Sequence, residues 1–223
     1  MPLDPAAAIE ITAFNWVPEF ARGLVRDMRV RWALEEAGLA YRARLFNARD
    51  ARPEDYLREQ PFGQVPVFDD GAVRIFESVA ITLEIAERSE ALMPRDPVGR
   101  ARARAWAIAA TNSVEIAIHP LIDCDVFYAR EPWAEARRPQ AVAGVRRRLE
   151  LLAGWLGEKD HLEGRFTVGD LMMVSVLREL RHTDLLAERE SLSRYVASCE
   201  ARPAFQRALA DHMAAFERPR EAA

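Results

Sequence analysis

Cysteine and lysine are nearly missing from this chain. Cys124 and Cys199 are the only cysteines among 223 residues, so there is no disulfide framework, no CxxC pair and no cysteine-rich metal site. A reducing compartment and the absence of any bound metal are the expectations. Lys159 is the only lysine, which leaves 30 of the 31 basic residues as arginine. With the abundant alanine, this bias reads as genome composition, and a bacterial source is expected. Long apolar runs are also missing: none approaches the length needed to span a bilayer. The start MPLDPAAAIE lacks a basic n-region and an apolar h-region, so a cytoplasmic location and no membrane partner are expected. The net charge of -4 gives no general attraction to phosphate backbones, which argues against nucleic acid.

What is present is a large apolar content, half of all residues, enough for one large or two modest cores. Ile9, Ile11 and Ala13 alternate as in a half-buried strand. Val30, Ala33, Leu34 and Ala37 recur at helical spacing and are closed by Gly38 in the place of a C-terminal cap. Residues 41–46 alternate again, and a polar stretch with a short helix follows. Val65–Phe68 and Val73–Phe76 flank Asp69-Asp70-Gly71-Ala72, a hairpin signal, and a helix then runs from Ser78 to about Glu87. Beyond residues 89–98, where Ser89, Pro94 and Pro97 break the periodicity, only helices are expected: about 100–129, 132–157, 167–186, 191–200 and 203–216. The domain expectation is therefore 1–88 as an α/β domain, 89–98 as linker and 99–223 as an all-helical domain.

Within FGQVPVFDDGAVRIFESVAITLEIAE, residues 62–87, a proline stands where a strand should begin and Glu77-Ser78 where a helix should begin. Pro66 removes a ladder donor, and a cis bond after Val65 would turn the Val65 carbonyl and amide outward to pair with an extended peptide-like ligand. Glu77 and Ser78 open a helix whose first amides suit a carboxylate, with the Glu77 carboxylate free to meet an ammonium. A ligand with an amino acid head and a peptide body, such as glutathione, would be held at both points. The competing structural reading makes Pro66 a rigid turn and Ser78 an N-cap.

Gln60-Pro61-Phe62-Gly63-Gln64-Val65-Pro66, followed by Phe76-Glu77-Ser78-Val79-Ala80-Ile81, resembles the glutathione-binding signature of the cytosolic glutathione S-transferases. Arg29-Val30-Arg31-Trp32-Ala33-Leu34-Glu35-Glu36-Ala37-Gly38 resembles their first helix. The resemblance implies a thioredoxin-like N-terminal domain, an all-α C-terminal domain and a homodimer. It also implies transfer of glutathione, as co-substrate, to a small hydrophobic electrophile, or a related glutathione-dependent reduction, with a role in detoxification. Carried over by position, Val65 pairs with the cysteinyl backbone, Glu77 and Ser78 hold the γ-glutamyl end, and Gln64 assists beside Pro66. A non-catalytic binding protein of the same fold is the alternative.

The chain departs from that pattern at the thiol. Family members place a Tyr, Ser or Cys just after the first strand, whereas residues 15–29 contain none of the three. The loop NWVPEFARGLVRDMR is also longer than the family pattern, as functional loops often are. Arg22, Arg26 and Asn15 are the catalytic candidates for holding a thiolate, since a nearby guanidinium or helix N-terminal amide favours the ionised form. The alternative has both arginines in solvent with Asp27 pairing one of them; the amides of Leu24 and Val25 are then the remaining donors. Trp16 and His119 are the candidates for a substrate pocket. Thr167, Asp170 and Phe166 read as a capping box with a hydrophobic staple, and Arg146-Arg147-Arg148 as a solvated helix face.

Overall fold

A computed structural model describes residues 3–217. The chain divides into two compact units, one of residues 3–93 together with 201–217, the other of Pro94–Glu200. The division falls inside the stretch expected as a linker. The last helix, expected with the helical half, belongs to the first unit.

In the first unit, β1 (Ile9–Trp16), α1 (Asp27–Ala37), β2 (Tyr41–Asn47), α2 (Glu54–Glu59), β3 (Val67–Asp69), β4 (Arg74–Phe76) and α3 (Ser78–Ala86) follow in order. They form a four-stranded sheet in the order β2-β1-β3-β4, with β1 parallel to β2 and antiparallel to β3. This is the expected α/β arrangement. Gly38 closes α1 in the left-handed conformation at φ 67, where a side chain would be strained. The hairpin closes at Asp69–Arg74, with Asp70 Oδ1 accepting from the amides of Ala72 and Val73 and Gly71 at φ 85. The strand before it starts two residues later than expected, at Val67, because Pro66 has no amide to donate.

The last helix, α9 (Pro203–Ala214), packs on α1. Arg202 reaches Glu36 with two bonds of 2.6 and 2.8 Å, Arg207 reaches Glu35 at 2.6 Å, and Phe205 meets Trp32 edge-on at 4.9 Å. These contacts, made by residues some 170 positions apart, explain why the helix leaves its sequence neighbours.

The second unit is helical, as expected. The helix anticipated at 100–129 is α4 (Pro97–Ala109), a π segment at Ala110–Glu115, α5 (Ile116–Ile122) and a second π segment at Asp123–Phe127. Next come α6 (Pro132–Leu156), α7 (Val168–Leu177) with a 3-10 turn at Arg178–Leu180, and α8 (Glu190–Glu200). All ten residues of α7 are buried, which makes it the centre of this core. Thr167 and Asp170 form the expected capping box. At Gly169 an added Cβ would lie 2.6 Å from Trp106 Cβ, so α4 and α7 approach too closely there for any side chain. The helix expected to reach 186 ends at 177–180 instead. Thr183 explains the end: its hydroxyl donates to the Leu180 carbonyl at 2.9 Å and accepts from the Leu185 amide at 3.3 Å, competing with further helical bonds. Arg146 does not simply face water but pairs with Glu188 through two bonds. No helix among the described residues is long and apolar enough to cross a membrane.

Candidate active site

The Val65-Pro66 bond is cis. A short hydrogen-bond relay holds the segment around it. The Val67 amide donates to Thr12 Oγ1 at 2.7 Å, and the Tyr56 hydroxyl donates to the Gln64 carbonyl. Tyrosine has one hydroxyl proton, so in the 2.9 Å contact between Thr12 and Tyr56 the threonine is the donor. Burial, outweighing a bond from Thr12 and two nearby arginines, raises the Tyr56 pKa and keeps the phenol neutral. This tyrosine is a fixed strut. Among the described residues, neither the amide nor the carbonyl of Val65, a residue 6% exposed, has a partner within the chain, so both keep their hydrogen-bonding capacity for an added extended strand. The Gln64 side chain beside them is exposed.

Eleven residues after Pro66, Glu77 is the one non-glycine among the described residues with positive φ, at 72. Such a conformation costs on the order of 1–3 kcal/mol and persists where the surroundings impose it. It lets the strand end turn directly into α3. Ser78 is the first residue of that helix and is buried, while the Glu77 side chain is exposed. The first intrahelical bond is that of the Ile81 amide to the Glu77 carbonyl, at 3.0 Å, which leaves the amides of the first turn pointing out of the helix. Beneath them lies Arg29, 2% exposed, whose Nη1 donates to Ser78 Oγ at 3.4 Å. A guanidinium under a helix N-terminus makes this point doubly suited to a carboxylate. Arg29 was not singled out from sequence; the signal available was a charged residue one turn before Ala33 on the apolar face of α1.

The third part of the site is the loop after β1. The register with β2 shifts between Phe14 and Trp16, so Asn15 is the extra residue of a β-bulge, a device that re-aims side chains. Its Oδ1 is buried without a partner. Residues 19–21 form a 3-10 turn, Gly23 takes φ 80, and α1 starts at Asp27. Val25 packs against the cluster of Tyr56, Val65 and Val67, which brings the loop beside the open backbone of Val65. Arg26 directly precedes α1, and the Arg22 guanidinium lies over the Phe216 ring at 5.6 Å. The Leu24 amide donates to the Ala21 carbonyl at 2.9 Å, whereas the Val25 amide has no partner within the chain among the described residues. Of these two amides, that of Leu24 is already engaged and that of Val25 keeps its hydrogen for a ligand.

Asp27 pairs with neither Arg22 nor Arg26 in its described contacts. It is fully buried and accepts from Arg31 Nε at 2.8 Å and His212 Nδ1 at 3.1 Å. Burial alone would raise its pKa, but the charges and bonds of His212 and then Arg31 prevail and lower it. Trp16 has one ring face covered by Arg49 at 3.6 Å, leaving at most its other face for a pocket. His119 lies in the second unit, between Glu115 and Glu179. The structure thus gathers Asn15, Arg22, Arg26, Gln64, Val65, Pro66, Glu77 and Ser78 in one unit.

The chain is similar to known proteins along most of its length. The family pattern described as "Glutathione S-transferase, N-terminal domain" matches residues 19–87. The chain is 32% identical to a maleylacetoacetate isomerase of Rhizobium meliloti, over 82% of this chain and 90% of that protein. It is 29% identical to a glutathione S-transferase of Hyoscyamus muticus, over 82% and 92%. A theta class glutathione S-transferase of Xanthomonas axonopodis pv. citri, solved with glutathione bound, superposes with a TM-score of 0.74 at 27% identity, covering 91% of this chain and 97% of that one.

Proposed function

Because the chain belongs to the cytosolic glutathione S-transferase superfamily and is a glutathione-dependent transferase, we propose that it binds glutathione as an added strand along Val65. In this reading the cysteinyl backbone pairs with the Val65 amide and carbonyl, with Gln64 assisting beside Pro66. The γ-glutamyl carboxylate lies at the N-terminus of α3 over Ser78 and Arg29, and its ammonium meets Glu77. The observation that carries the reading is the unpartnered backbone of Val65 beside a helix N-terminus with a buried guanidinium under it.

The thiol would then face the loop at Asn15–Arg26, where Arg22, Arg26, Asn15 and the Val25 amide are the groups able to favour a thiolate. A thiolate poised there attacks an electrophilic carbon, forming a C–S bond as the leaving group departs or as a conjugated double bond takes up the electron pair. The proposed second substrate is a small hydrophobic electrophile bordered by the free face of Trp16, the cellular role is detoxification, and the location is cytoplasmic. The proposed assembly is a homodimer. Val98 and Ile108 on α4 and Ile116 at the start of α5, 68%, 45% and 62% exposed, are apolar side chains that such an assembly would cover.

The test is thermal unfolding with and without glutathione. At a hundred times its dissociation constant the ligand should add about 2.7 kcal/mol, a rise of roughly 5–10 °C for a chain of this size. No rise at millimolar glutathione would refute binding, and a rise without conjugation of any chromogenic electrophile would refute the transferase reading of the loop.

A further inference from the structure

Outside that site, the second unit contains one convergence of metal-ligating side chains. Glu115 is the last residue of the first π segment, His119 stands one turn further along the same helix face, and Glu179 comes from the 3-10 turn that ends α7. Among the described residues these three donor atoms lie within 4.8 Å of one another. His119 Nε2 is 3.5 Å from Glu115 Oε1 and 3.7 Å from Glu179 Oε2. The two carboxylates are withdrawn from water, at 5% and 11% side-chain exposure, while the imidazole is 49% exposed.

We propose that Glu115, His119 and Glu179 bind a divalent transition-metal ion, zinc being the one their donors suit best. The donor set of one imidazole nitrogen and two carboxylate oxygens suits zinc, nickel or copper rather than an all-oxygen cation such as calcium. Zinc bonds of about 2.0–2.2 Å in a tetrahedron set the donors about 3.4 Å apart. The two distances to His119 are already within a few tenths of an ångström of that value, and the third donor pair lies within 4.8 Å.

The helix geometry contributes as well. A π turn widens the helix at Glu115, and such turns recur at functional sites. With three protein donors, a tetrahedral ion here would take water in its fourth position, unlike a closed structural site. This site departs from the expectation of no metal drawn from the scarcity of cysteine.

The experiment uses the full-length chain, free of any purification tag, stripped with a chelator and kept without glutathione, whose thiolate itself binds metals. Cobalt is titrated in and followed by its visible absorption, then displaced with zinc, and zinc binding is measured by calorimetry. The expected result is saturation at one ion per chain, with affinity lowered at least about tenfold in His119→Ala and in the near-isosteric Glu179→Gln. His182→Ala, which removes the neighbouring histidine that pairs with Asp125 and contacts the backbone carbonyl of Glu179, should leave the affinity within about twofold. Circular dichroism melts show whether each variant is folded. The proposal is overturned by the absence of saturable binding in the micromolar range, by Glu179→Gln binding zinc as tightly as the parent, or by a loss that follows His182 instead of His119.

Discussion

Replacing Arg29 by methionine removes a buried charge without emptying its space. Arg29 Nη1 is 3.4 Å from Ser78 Oγ, so a carboxylate accepting from that hydroxyl would sit about 5 Å from the guanidinium. At that separation a unit charge pair is worth about 3 kcal/mol at an effective dielectric constant of 20 and about 0.8 kcal/mol in water. The loss in glutathione affinity should therefore fall between about 1 and 3 kcal/mol, roughly 5- to 150-fold. Calorimetry with two ligands isolates this charge from any general effect on folding. One is glutathione; the other is γ-aminobutyryl-cysteinyl-glycine, which keeps the amine and lacks the carboxylate. Arg29→Met should weaken the first by the stated factor and leave the second within about twofold, since only the first carries the partner charge. If both ligands lose the same factor, Arg29 acts through the fold and the carboxylate does not lie over Ser78. Glu77→Ala should give the complementary pattern, weakening both ligands because both keep the ammonium.

Three further outcomes are expected. Arg22→Ala or Arg26→Ala should raise the pKa of bound glutathione, read from the ultraviolet thiolate band against pH, with little change in affinity; if both leave the titration in place, the Val25 amide becomes the donor. Sedimentation equilibrium should give twice the 25.3 kDa chain mass at micromolar concentration, and a single-chain species throughout would remove the dimer. Asp27→Asn should cost about 3–5 kcal/mol at neutral pH by leaving the buried Arg31 uncompensated. The folded-state pKa of Asp27 is lowered, so its contribution is complete above the ordinary carboxylate value near 3.9 and fades as pH falls through the folded value. Urea unfolding of parent and variant should converge in acid. A constant gap down to the lowest pH would mean that Asp27 is not ionised in the folded chain.

Short-range signals carried much of this structure. Alternation in Ile9, Ile11 and Ala13 and the pair Thr167/Asp170 each report a strand or a helix start through bonds made within a few residues, and both appear where expected. The helical pattern runs past the end of α7 because apolar residues at Leu185 and Leu186 prolong it, whereas a single hydroxyl at Thr183 diverts the backbone bonds.

Sequence alone pointed to the two local features of the proposed glutathione site: Pro66 before a strand and, eleven residues on, Glu77 before a helix. Those depend on conformational rules that act over one turn or one peptide bond. Tertiary structure alone decided which distant groups meet them. Arg29 reaches Ser78 across 49 positions, Asp27 meets His212 across 185, Asn15 is re-aimed by a bulge against β2, and Glu179 joins Glu115 and His119 from another helix. Hydrophobic periodicity says which face of a helix is buried; the charged group waiting on the other side of that burial is set by how the elements pack.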